Sequence, residues 1–148
     1  MKIDGECHCG KLAYEAQVDP DTLVICHCTD CQILAGSPYR AVIPAPAESF
    51  VMLRGEPKIY IKTAERGTKV AHGFCGDCGT PIYACAPASP DLYGLRMGAI
   101  KQRAKLHPIS QIWCRSALPW AMDLSAVEKD DRQPSSLTAR LPPPPDRQ

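Results

Sequence analysis

Residues 25–31 read Ile25-Cys26-His27-Cys28-Thr29-Asp30-Cys31, three cysteines within six positions. In an extended strand, side chains at i and i+2 share a face. Cys26 and Cys28 can therefore grip one ion while His27 points the other way. Cys31 completes a local triplet. Three protein ligands leave the fourth position of a tetrahedral zinc open to water or substrate, the pattern of catalytic sites. Three thiolates on zinc carry a formal charge of about −1 and make a weaker Lewis acid than histidines would. Such a centre suits a thiolate that exchanges in and out.

Outward from this triplet lie two further cysteine pairs, Cys7-His8-Cys9-Gly10 and Phe74-Cys75-Gly76-Asp77-Cys78-Gly79. The N-terminal pair repeats the Cys-His-Cys pattern of residues 26–28, and the same strand geometry turns His8 away from the thiols. The pair at 75–78 has the form of a zinc knuckle, with a glycine after its last cysteine to allow a positive φ. Cys7, Cys9, Cys75 and Cys78 together supply the four ligands of a closed structural zinc. That clip would close a long loop and turn binding energy into folding energy. Other groupings stay open on spacing alone. Cys26, Cys28, Cys31 and one of Cys75 or Cys78 make a four-ligand set, iron–sulfur ligation uses the same residues, and Cys28-Thr29-Asp30-Cys31 has the spacing of a redox motif. The redox reading is weakened by the third nearby cysteine and the lack of a βαβ pattern.

The chain has 148 residues, nine of them cysteine, a formal net charge of +1 and a pI near 7.5. An odd number of cysteines cannot all pair within one chain, and dense cysteine without a visible leader favours metal over disulfides. The balanced charge gives no sign of a nucleic-acid or membrane partner. No signal-peptide pattern and no run of about 18 apolar residues appears, so a cytoplasmic, reducing location is expected. Cys85 and Cys114 stand apart and read as buried, inert thiols, Cys114 because Trp113 adjoins it.

Between the cysteines, short apolar or alternating runs are separated by Gly and Pro. Leu12, Tyr14 and Ala16 alternate, and residues 22–27, 39–43, 57–63, 69–74, 81–86 and 92–97 are further strand candidates. The reading is a mainly β domain with one or two short helical segments, at 29–35 and 118–129. The domain is expected to span residues 1–129. Residues 130–148 form a Pro-rich tail in which Pro142–Pro145 favours polyproline II.

Gly5-Glu6-Cys7-His8-Cys9-Gly10, Cys26-His27-Cys28 with Cys31, and Phe74-Cys75 with Cys78-Gly79-Thr80 resemble, in order and spacing, the glutathione-dependent formaldehyde-activating enzyme (GFA) family, which also includes centromere protein V. His107-Pro108-Ile109, Trp113 and Leu118-Pro119-Trp120 resemble its C-terminal part. The resemblance implies a β-tent fold of short antiparallel sheets and two zinc ions per chain. Cys7, Cys9, Cys75 and Cys78 would hold a structural zinc, and Cys26, Cys28 and Cys31 a catalytic one. It implies a carbon–sulfur lyase that joins formaldehyde to glutathione as S-(hydroxymethyl)glutathione, with a small thiol or its adduct as partner.

Other residues near the triplet have two readings each. Arg40 could hold a substrate carboxylate or be an ordinary surface arginine. Asp30 could orient a neighbour or cap the turn, and His27 could pass protons. Ser37, Tyr39 and Trp113 are candidates for lining a pocket. The competing functions are a non-catalytic zinc-binding interaction module and a thiol-based metal or redox sensor.

Overall fold

The computed structural model describes residues 1–65 and 67–133. Alternation builds its first sheet. In β1 (Lys2–Glu6) and β2 (Ala13–Gln17) every second residue is buried, so Ile3, Gly5, Tyr14 and Ala16 face inward. The two strands pair antiparallel with Gly5 opposite Tyr14. A Cβ on Gly5 would lie 1.9 Å from Cζ of Tyr14. Only glycine lets that ring lie flat across the neighbouring strand, an aromatic covering a bare backbone.

The remaining strands among the described residues are β3 (Val24–Cys26), β4 (Arg40–Pro46), β5 (Val51–Arg54), β6 (Lys58–Thr63), β7 (Lys69–Phe74), β8 (Pro81–Cys85), β9 (Leu92–Arg96) and β10 (Ser110–Ile112), with one α-helix there, α1 (Thr29–Ala35). The small sheet runs β1-β2-β5 and the large one β10-β3-β4-β9-β8-β7-β6. The expected short antiparallel sheets are present, with one amendment: β10 joins β3 in parallel. Inward residues of both sheets meet in one core that includes Ile3, Tyr14, Ile43, Ile82, Leu95 and Ile100. Phe50 lies among Tyr14, Tyr83 and Tyr93, with ring centroids 4.4–5.5 Å away. Aromatic contacts of this kind add to plain area burial.

Three strands escape a sequence reading. β1 carries Gly5 and three charges, β5 is short and largely exposed, and β10 has three exposed residues. Helix α1 forms where expected and ends at Gly36, whose φ of 58° is the left-handed stop that glycine tolerates.

Met1–Leu118 form one compact unit, and the chain from Pro119 belongs to a second. In the second unit the helix expected at 118–129 does not form. A 3₁₀ turn covers Pro119–Met122, and the Asp123 carboxylate accepts from the Ser125 N–H at 2.8 Å. That local bond gives the backbone an alternative to a helix. The Pro142–Pro145 tract lies outside the described residues. No helix among the described residues is long and apolar enough to cross a membrane.

Candidate metal centres and the cavity beside them

Cys7 and Cys9 lie in the turn after β1, not in a strand as their spacing suggested. The Gly10 N–H closes on the Cys7 carbonyl at 3.0 Å, with φ 77° at Gly10. Cys75 and Cys78 lie in a turn one residue longer after β7, with the Gly79 N–H on the Cys75 carbonyl at 2.9 Å and φ 73° at Gly79. Lys11 beside one turn meets Asp77 in the other at 2.6 Å. The four sulfurs lie within 4.8 Å of one another, with Cys7–Cys9 at 3.6 Å and Cys9–Cys75 at 3.7 Å. A tetrahedron with Zn–S of about 2.3 Å has edges of about 3.8 Å, so the set fits a zinc ion. The Leu12 N–H donates to the Cys7 sulfur at 3.2 Å. The Thr80 hydroxyl holds the Cys78 thiol down to about 5. His8 is exposed and outside the cluster.

Cys26, Cys28 and Cys31 form the other cluster, again with sulfurs within 4.8 Å. The strand expectation holds for Cys26 and not for Cys28. Cys26 ends β3, and Cys28 caps α1 by accepting the Cys31 N–H at 3.3 Å. The Cys31 thiol, hydrogen-bonded to Cys26, lowers that residue to about 5, while Cys31 itself is pushed up by Cys26. Three thiols so placed cannot ionise together without a cation between them. The donor set therefore fits a soft divalent metal held by three sulfurs.

Segments 110–116 strap this cluster from outside. The His27 ring, 1% exposed, places Nε2 2.7 Å from the Gln111 side-chain oxygen and packs against Tyr39. Gln32 donates to the carbonyls of His27 and Ser116 at 2.7 and 2.8 Å. His27 thus packs and anchors, and does not join the sulfurs.

Cross-strand pairing puts a cationic wall beside the triplet. Residues directly opposite in an antiparallel pair share a face. Cys26 is opposite Arg40, Val42 opposite Arg96, Gly94 opposite Ala84, and Ala84 opposite His72, which faces Tyr60 in turn. Arg40 is 5% exposed and Arg96 6%. Arg40 is thus no ordinary surface arginine. A cavity of about 320 Å³ is lined by Arg40, Arg96, His72 and Tyr60. An adjoining one of about 300 Å³ is lined by Cys28, Cys31, Arg96, His72 and Trp113.

Arg96 donates from Nη2 to His72 Nδ1 at 3.2 Å. Burial, with Arg40 next to it, lowers Arg96 to about 10, so it stays charged at neutral pH. Burial also lowers Arg40, against the pull of the three cysteines. Burial and the cations Arg96, Arg40 and Lys62 bring His72 down to about 4, so it is neutral.

A sequence profile described as glutathione-dependent formaldehyde-activating enzyme matches residues 2–116. The chain belongs to this family. The match spans both clusters and the cationic wall of this GFA-family protein. A crystal structure of a Rhodobacter sphaeroides protein, a structural-genomics target, resembles it with a TM-score of 0.57 at 20% identity. The likeness covers 73% of this chain and 98% of that one, and at this identity it speaks for the fold alone.

Within the GFA domain the other candidates fall as follows. Asp30 neither caps nor orients a thiol; it pairs with Lys62 of β6, and both line the cavity. Trp113 lines the cavity in a left-handed conformation, φ 58°, with the Arg115 guanidinium over its ring. Ser37 and Tyr39 line a third cavity together with Arg40 and Arg96. Cys85 is half-buried, and Cys114 is exposed, not buried beside Trp113. The residues that sequence reading missed are Arg96, His72 and Lys62. Arg96 is the one charge in its run, whereas His72 and Lys62 share theirs with other polar residues and carried no separate signal.

Proposed function

We propose that this chain is a zinc-dependent carbon–sulfur lyase of the formaldehyde-activating type, with glutathione and formaldehyde as thiol and aldehyde. In this reading it acts in the cytoplasm and carries two zinc ions. Cys7, Cys9, Cys75 and Cys78 hold the structural ion, and Cys26, Cys28 and Cys31 hold the catalytic one. The observation that supports it is the inequality of the clusters: four sulfurs locked between two turns, and three sulfurs of which Cys28 and Cys31 line a cavity.

Bound zinc would supply Lewis acidity and favour the ionised form of a thiol. The chain's own part is to position and to exclude. Cys28 and Cys31 line the cavity together with Trp113 and the Asp30–Lys62 pair. In the forward direction the thiol sulfur bonds to the formaldehyde carbon, the carbonyl π bond breaks, and the thiol proton ends on the new hydroxymethyl oxygen.

The test is exchange NMR on glutathione and labelled formaldehyde with the two-zinc protein. The expected result is exchange between free and hydroxymethyl glutathione faster than in buffer. Exchange no faster than in buffer, for protein shown to hold both ions, overturns the reading.

A further inference from the structure

The wall beside the triplet has donors with nothing to receive them. Arg40 Nη2, Arg96 Nε and His72 Nε2 are each buried without a hydrogen-bond partner. The state of the histidine follows from its neighbour. A guanidinium has five N–H donors and no acceptor. His72 Nδ1 must therefore accept from Arg96, which leaves the ring proton on Nε2. All three open groups are N–H donors, and the residues that carry them line one cavity.

Charge points the same way. The other charged residues around these cavities are paired, Lys62 with Asp30 and Glu65 with Arg115. No carboxylate among the described residues pairs with Arg40 or Arg96. Three thiolates around a divalent ion leave one negative charge, so two buried guanidiniums leave one positive charge unmatched. Buried charges need partners. Space is provided too, because between His72 and the Arg96 strand the sheet face carries only Ala84 and Gly94.

We propose that Arg40, Arg96 and His72 form a binding site for one carboxylate, and that the thiol adduct handled by the neighbouring sulfurs carries that carboxylate. A carboxylate supplies two oxygens with lone pairs for three donors, in the planar geometry that guanidinium groups match best. It brings one negative charge, the amount missing. The first half of the proposal stands on the wall alone; the second rests on the lyase reading.

The test uses the zinc-loaded full chain and a blocked sulfur compound, 3-(methylthio)propanoate, with its neutral amide as control. The expected result is movement of the Arg96 Nε–H and His72 Nε2–H NMR signals with the acid and none with the amide. Arg96→Lys keeps the charge but loses the fork, and His72→Phe loses one donor without touching charge. Each is expected to weaken the acid by at least about tenfold, with zinc content unchanged. If Arg96→Lys does not fold, His72→Phe and the wild-type titration decide. No movement, equal binding of the amide, or tighter binding of inorganic phosphate than of the acid overturns the carboxylate site. Slow formaldehyde exchange alongside selective acid binding would remove the lyase reading and leave the site standing.

Discussion

Arg96 Nη2 sits 3.2 Å from His72 Nδ1 and can only donate to it. The bond therefore holds for neutral histidine and breaks when the ring takes a second proton. With burial first and the cations Arg96, Arg40 and Lys62 after it, His72 is brought down to about 4. An NMR titration of the ring is expected to show a midpoint near that value. The unfolded histidine titrates near its ordinary value of about 6.5, so between the two the unfolded chain binds a proton that the folded chain refuses. His72's share of stability is thus fully present above about pH 6.5 and lost as pH falls through about 4. A midpoint at 6.5 or higher contradicts this geometry.

Gly5 makes a prediction about packing. Its missing Cβ would be 1.9 Å from a ring carbon of Tyr14, which is fully buried and cannot yield. Overpacking costs typically 1–3 kcal/mol, and Gly5→Ala is expected at or above the top of that range, near 3 kcal/mol. Gly36→Ala is the control. Its φ is 58° but nothing lies within 4 Å of the new methyl, so only backbone strain of about 1 kcal/mol is expected. Urea unfolding of the zinc-loaded variants measures both. Equal losses would show that the Tyr14 ring moves freely.

What the sequence made legible was the local part of the architecture. Cysteines at x and x-x spacing announce chelation whatever backbone holds them, so seven sulfurs could be grouped although Cys7 and Cys9 lie in a turn and Cys28 caps a helix instead of lying in strands. Alternation at Leu12, Tyr14 and Ala16 announced β2, and short runs between turn signals at 69–74 and 92–97 announced β7 and β9. The wall was hidden because it is made by register. Nothing near Arg96 in the chain says that Val42 lies opposite it, or that Arg40 lies opposite Cys26. The neutral state of His72 was hidden for the same reason, since its partner is 24 residues away. Cys114 misled because an adjacent tryptophan need not bury its neighbour when the backbone turns left-handed between them.

Trp113 carries that turn. A bulky residue at φ 58° stores about 1–3 kcal/mol, and here it lines the cavity beside Cys28 and Cys31. Trp113→Gly releases the strain while removing the side chain. Stability is expected to change by less than about 1 kcal/mol, since relief offsets lost packing. KM for the thiol adduct is expected to rise several-fold with both zinc ions retained, a change of about 1 kcal/mol in binding. A large loss of thermal stability with unchanged KM would assign Trp113 to structure instead.

The two clusters differ in what depends on them, and paired substitutions expose that. The four-sulfur set joins the turn after β1 to the turn after β7, and Cys7 and Cys75 are buried in the core. On the two-zinc reading, losing its ion would remove a clip of about 10–16 kcal/mol by the scale of structural zinc peptides, more than the whole stability of most domains. Cys78→Ala is therefore expected to be insoluble or unfolded. The three-sulfur set lies within residues 26–31, so it closes no long loop and adds little loop-closure entropy. Cys28→Ala is expected to remain folded, to bind one zinc ion instead of two, and to lose formaldehyde exchange. Circular dichroism and metal analysis on both variants check this together. Two variants equally well folded, each with one ion, would mean that neither cluster is the scaffold and that the division of four and three carries no difference in role.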